Sequence, residues 1–196
     1  MKPISQSGLH SRKRDETRQR LQVHALRLFA EQGYDETTTQ EIASAAGVSH
    51  MTFFRHFPTK ESVFEGNYRH WMADLATHLP TEGTIIDRVE VVARQIMPHF
   101  YEVDREQMLM MLELSRRTPL LRGRAAMHQQ TMINDVVGLL GATELEAEEY
   151  YRVYCVVTAC FAVISAASYE WLRLRGEQPI DALLAAAFAA LRQQVV

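Results

Sequence analysis

Cysteine is nearly absent from this 196-residue chain: it holds only Cys155 and Cys160. Their i, i+5 separation would place them on different sides of a helix, which argues against a disulfide or a CxxC motif and for two reduced, packed thiols. Long apolar runs are missing as well. The longest weakly polar stretch, 153–167, is diluted by Thr158, Cys160 and Ser165 and falls short of the roughly 20 residues a bilayer-spanning helix needs, so it reads as a buried helix. No apolar segment or small-residue cleavage site follows the polar residues 1–8, and the expectation is a cytoplasmic protein with no membrane partner. The signatures of catalysis are lacking too. There is no GxSxG, phosphate loop or dinucleotide fingerprint, and the eight histidines show no i, i+4 pair and no HExxH run. Glu148-Glu149 and Asp104-x-Glu106 are the nearest approach to paired carboxylates, and solvated charges at helix ends account for them. No catalytic residue, metal site or cofactor is expected, and the chain does not read as an enzyme.

What is present is enough apolar content, 47% of residues, to build a sizeable core in one domain or two small ones. Net charge is −3, but the balance is uneven. Residues 1–70 carry 10 Lys/Arg against 8 Asp/Glu, whereas residues 71–196 carry 11 against 16. Within the first 30 residues there are seven basic groups and two acidic ones, a balance suited to a polyanion, although a solvated basic tail looks the same.

Nothing alternates with the period of a strand, and apolar residues recur at helical spacing between Gly, Pro and polar breaks. The pattern predicts an all-α protein of about nine helices. A flexible basic arm over 1–14 precedes a helix over 15–32, whose stripe is Leu21, Ala25, Leu28 and Phe29 and which Gly33 ends. Short helices follow near 39–46 and 50–57, completing a three-helix DNA-binding domain over 15–60. A connecting helix over 61–79 stops at Pro80 and Thr81-Glu82-Gly83. Beyond it, 80–196 is a second helical domain with helices near 85–101, 105–117, 120–140, 144–175 and 180–194. Thr143 ahead of Glu144 and Asp181 in the last helix place a cap and an acid where helix amino termini favour them.

The informative segment is 37–57. Thr38 with Glu41 three residues on forms a capping box. Small Ala43 lets a second helix cross closely, Gly47 suits a tight turn with positive φ, and Ile42 and Val48 fill the space between. Ser49 caps the second helix, and Phe53 and Phe57 anchor it at i, i+4. This is a helix-turn-helix pattern, whose second helix enters the major groove with its first residues toward base edges. The exposed candidates are Ser49, His50, Met51, Thr52 and Arg55. Two short helices joined by Ala-x-x-x-Gly-Val also occur in proteins that bind no DNA, and a helical ligand-binding protein or enzyme that has lost DNA binding stays an alternative.

The complete run resembles the TetR family of transcriptional regulators. The resemblance lies in Phe29-Ala30-Glu31-Gln32-Gly33-Tyr34, Thr37-Thr38, Glu41-Ile42-Ala43, Ala46-Gly47-Val48-Ser49 and Phe57-Pro58-Thr59-Lys60-Glu61, within 17–64. It implies a ligand-responsive regulator, a repressor by expectation, that binds a palindromic double-stranded operator as a two-fold dimer. Thr38 and Lys60 would hold phosphates, and Arg12, Lys13 and Arg14 would lie along the backbone or minor groove. Phe54, His56 and Arg55 complete the implied DNA-binding set. Two residues depart from the family pattern. Met51 stands where Gly is frequent and brings an apolar side chain toward a thymine methyl, while Phe54 stands where Tyr is usual and lacks the hydroxyl that reaches a phosphate. The Phe-Phe-Arg variant is similar to a branch of regulators associated with mycofactocin, some of which respond to acyl thioesters.

The second domain is rich in Met and aromatic side chains, which fill irregular cores and equally line adaptable apolar pockets. Met97, Phe100, Tyr101, Met108, Met111, Leu112 and Tyr154 are the candidate lining of a site for a small apolar or amphipathic effector. The last two helices are rich in alanine, with Ala159, Ala162, Ala166, Ala182, Ala186 and Ala189 among them. Small residues let helices approach closely, as a self-complementary four-helix homodimer interface requires, although Ala also simply propagates helix.

Overall fold

In the computed structural model, which describes residues 6–65, 68–102 and 105–194, nine α-helices and two 3-10 turns carry the chain, and no strand occurs among the described residues. The chain divides into two compact units, Met1–Gly66 and Asn67–Val196.

The first unit begins with α1 (Gln6–Gln32). Residues 6–14, expected as a flexible arm, are instead its first turns. No Gly or Pro interrupts 9–32, so a helix nucleated by the packed carboxy-terminal half propagates outward. Its buried residues are Leu21, Ala25, Leu26 and Phe29. Leu26 takes the place expected of Leu28, which is half-buried, because α1 packs on two neighbours rather than one. Gly33 ends the helix at φ +95, its N–H returning to the Phe29 carbonyl at 3.1 Å. The second and third helices, α2 (Thr39–Ala45) and α3 (His50–His56), are joined through Gly47 at φ +65, a conformation that favours glycine.

The continuous helix expected over 61–79 is not what forms. A 3-10 turn, Glu61–Glu65, belongs to the first unit, and α4 (Tyr68–His78) opens the second. Ser62 donates its hydroxyl to the Thr59 carbonyl at 2.6 Å and accepts from the Thr59 N–H at 3.2 Å. Such local side-chain bonds compete with the α ladder and tighten a first turn.

The second unit continues with α5 (Ile85–Glu102), α6 (Arg105–Arg117), α7 (Pro119–Leu139), α8 (Ala147–Arg173) and α9 (Ile180–Gln194). Its core gathers Val92 and Ile96 of α5, Val136 of α7, Val157, Phe161 and Trp171 of α8, and Leu184 and Phe188 of α9. Ion pairs hold α5 to α9: Arg192 bridges Asp87 and the buried Glu90, and Arg94 joins Asp181 at 2.8 Å. α8 starts later than expected. Gly141, at φ +74, feeds a 3-10 turn, Ala142–Glu144, that takes in Thr143, and Glu146 holds the cap position with no side-chain bond.

Two elements depart from ordinary core packing. α6 carries Met108, Leu109, Met110, Met111, Leu112 and Leu114, yet none of its described residues is fully buried. α8 buries one face only. Tyr151, Cys155, Thr158, Ala162, Ala166 and Tyr169 lie exposed at helical spacing along the other, matched on α9 by Ala182, Ala186, Ala189 and Gln193. The expectation that 153–167 falls short of a membrane span is also corrected: within α8 an 18-residue window is long and apolar enough by length and composition, with a third of it buried.

Candidate nucleic-acid interface

The head is built by local bonds legible at each turn. Thr38 caps α2: its hydroxyl accepts from the Glu41 N–H at 3.2 Å and donates to the Glu41 carboxylate at 2.8 Å, which also accepts the Thr38 N–H at 2.8 Å. The two donors on Thr38 hold the Glu41 carboxyl below its usual range. Ser49 caps α3, accepting from the Thr52 N–H at 3.2 Å while the two hydroxyls pair at 2.9 Å. Phe53 and Phe57 are fully buried and fix α3 to the unit's core.

The outward face of α3 then presents Met51, 79% exposed, with Phe54, 43% exposed, and Arg55, also exposed. His50 is half-buried. Its Nε2 lies 2.8 Å from the Thr39 hydroxyl, and its ring meets Phe54 edge-on at 4.8 Å. Phe54 is further held perpendicular to Phe53 at 5.4 Å. Ser49, Met51, Phe54 and Arg55 are thus accessible at the cap and along α3, Thr52 is half-buried, and Thr38 is exposed at the start of α2. Lys13 and Arg14 are exposed on the first half of α1, and the side chain of Arg12 lies outside the described residues.

Two expected DNA contacts turn inward. His56 is 8% exposed, and its carbonyl accepts from Arg18 Nη1. Burial, reinforced by the positive charges of Arg55, Arg14 and Arg18, holds its imidazole below the usual range. Lys60 donates to the carbonyls of Tyr34 at 2.6 Å, Thr37 at 2.9 Å and Asp35 at 3.4 Å, and its ammonium sits 4.2 Å over the Tyr34 ring. With three N–H donors so engaged, Lys60 fastens the link between α1 and α2. Sequence reading missed Thr39 and Arg18. Thr39 orients His50 from 11 residues away, and Arg18 stacks 4.1 Å over Phe57 while bonding across to His56; neither separation leaves a periodic trace.

In the second unit, six of the seven residues expected to line an effector site meet in the core. Met97 and Tyr101 are buried there, with Phe100, Met108, Leu112 and Tyr154 packed against them, whereas Met111 is not among them. Burial pushes the Tyr101 phenol up to about 12, and its hydroxyl donates to Ser168 at 2.7 Å. Tyr154 accepts from Gln130 at 2.6 Å. A cleft of about 250 Å³ lies elsewhere, lined by Tyr101, Arg105, Trp171 and the turn Gly176, Glu177, Gln178 and Pro179, and shares only Tyr101 with the expected set.

A capped helix-turn-helix whose second helix keeps Met51, Phe54 and Arg55 exposed, followed in the same chain by a second helical unit, is the architecture of DNA-binding transcription regulators. The family model for bacterial regulatory proteins of the tetR family matches residues 23–66. The HTH-type transcriptional regulator TcmR of Streptomyces glaucescens is 30% identical over 194 residues, covering 94% of this chain and 85% of TcmR. The chain belongs to the TetR family. MftR of Mycobacterium tuberculosis, a regulator named for mycofactocin biosynthesis, is 29% identical over 79 residues, 40% of this chain and 36% of MftR; it is one relative among several, and the mycofactocin branch is not singled out. The fold matches that of the transcriptional regulator FadR from Bacillus subtilis in complex with stearoyl-CoA, with a TM-score of 0.61 and 17% identity, covering 88% of this chain and 96% of FadR.

Proposed function

We propose that this regulator is a repressor that binds a palindromic operator as a homodimer in the cytoplasm and is released by an apolar or amphipathic effector of the fatty acyl thioester class. The observation that carries the effector reading is α6, an amphipathic helix whose Met and Leu side chains are half-buried without one being fully buried. Elements with few buried contacts open at low free-energy cost, and α6 leans on Met108, Leu109 and Leu112 against the core that also holds Met97, Phe100 and Tyr154. An acyl chain entering beneath it would meet an apolar bed without displacing a tightly packed layer. The FadR likeness, a protein solved with stearoyl-CoA, supports the same ligand class.

The exposed stripes on α8 and α9 support the dimer. They run along both helices, with small residues between Tyr151 and Tyr169 on α8 and three alanines followed by Gln193 on α9, and suit a self-complementary two-fold packing. Two heads matched to successive major grooves must stand roughly 34–36 Å apart. A ligand that favours a different spacing shifts the population away from the operator-competent state.

A gel-shift titration on the intergenic DNA beside the gene tests the proposal. Retardation at low salt, lost on adding lauroyl- or stearoyl-CoA, is expected. Folded dimer that retards no DNA overturns the operator reading, and a complex indifferent to acyl-CoA overturns the effector reading.

A further inference from the structure

We infer that α3 reads its operator chiefly through thymine C5-methyl groups, with Met51 and Phe54 as the contacting pair. The inference rests on the DNA-binding role of the head and names the base chemistry it recognises. In the major groove, adenine is read by Asn or Gln, cytosine by Asp or Glu, guanine by Arg or Lys, and thymine by an apolar contact with its methyl. The seven residues of α3 are His, Met, Thr, Phe, Phe, Arg and His, so the helix has no Asn, Gln, Asp or Glu.

Its polar groups are largely committed within the head. Ser49 and Thr52 bond each other as a cap, His50 is bound to Thr39, and His56 is buried. Arg55 is the remaining charged reader on the exposed face. Met51, by contrast, is more exposed than any other large apolar side chain among the described residues, and Phe54 follows it on the same face. An exposed Met and an exposed Phe at i, i+3 lie about 4.5 Å apart along a helix axis, against a base step of about 3.4 Å. They therefore match methyls one or two steps apart. The two apolar residues also differ in stiffness. Phe54 is wedged between His50 and Phe53 and forms a fixed wall, whereas Met51 is free to follow the groove.

The test starts from a random-sequence duplex pool enriched with the full-length chain. Each thymine of the enriched site is then replaced singly by deoxyuridine, which deletes the methyl and keeps the pairing edge. Wild-type affinity is expected to fall about fourfold per contacted methyl, as burial of one methyl implies. That difference should vanish at one position of each half-site in Met51→Ala and at another in Phe54→Ala. Because Met51 is 79% exposed, Met51→Ala should unfold at the wild-type temperature and keep the wild-type salt dependence. Equal binding of thymine and uracil duplexes by the wild type overturns the inference. If no sequence is enriched from the pool, the DNA-reading assignment beneath it falls instead.

Discussion

At the scale of the residue, the head shows which roles local sequence reveals and which it conceals. The caps at Thr38 and Ser49 were legible because each bonds a partner three residues away. The internal bonds of Lys60 and the burial of His56 were not legible, because the partners of Lys60 and of the His56 carbonyl lie 23 to 38 residues off, where no motif records them. Lys60→Ala should destabilise the chain by about 2–3 kcal/mol through three lost bonds to carbonyls, read as a drop in the urea midpoint. A phosphate ligand would instead show unchanged stability and a shallower salt dependence of DNA binding. His56 gives a pH signature. Its folded pKa is lowered by burial, with Arg55, Arg14 and Arg18 opposing the proton and Asp15 favouring it. The unfolded chain therefore takes up that proton first on acidification. The contribution of His56 is complete above about pH 6.5 and is lost as pH falls from there through the folded value. Urea midpoints measured between pH 7.5 and 5 should fall less steeply in His56→Gln than in the wild type.

Helix existence and most helix ends were legible at the scale of the element, since Gly33 and the apolar periodicity carry that information in one short window. What the periodicity could not convey was where side chains divert the backbone. The Thr59 and Ser62 bonds turn the start of an expected helix into a 3-10 turn, and Gly141 moves the start of α8 past Thr143. The turn between α8 and α9 is the most constrained of these joints. Gly176 sits at φ +68, and a Cβ there would lie 2.8 Å from Cζ2 of the buried Trp171 and 2.7 Å from Arg105 Nε. Gly176→Ala should cost about 2–3 kcal/mol through combined backbone strain and overpacking. Gly123, inside α7 with open space around it, provides the contrast: Gly123→Ala should raise stability by about 0.5–1 kcal/mol. Thermal unfolding of the two variants separates a glycine that the fold requires from one it tolerates.

Whole-molecule organisation was legible only in outline. A basic first third and an alanine-rich end suggested two units with different tasks, but the exposed stripe on α8 became visible only when burial separated Val157, Cys160 and Phe161 from Thr158 and Ala162. If this stripe joins two copies, Ala162→Arg should give a monomer in sedimentation velocity and weaken operator binding by about 100-fold, the loss expected when two linked heads become independent. The same stripe gives the chain a built-in chemical footprint. Cys155 stands exposed on it, while Cys160, one and a half turns along, is buried with its thiol pushed up to about 12. Thiolate is the reactive form, so an alkylating reagent distinguishes two sulfurs only five residues apart: one is available until the stripe is covered, and the other is silent throughout. Mass-resolved alkylation of the unaltered protein thus reports how much of this surface is paired at any concentration, without a fused tag or an introduced label.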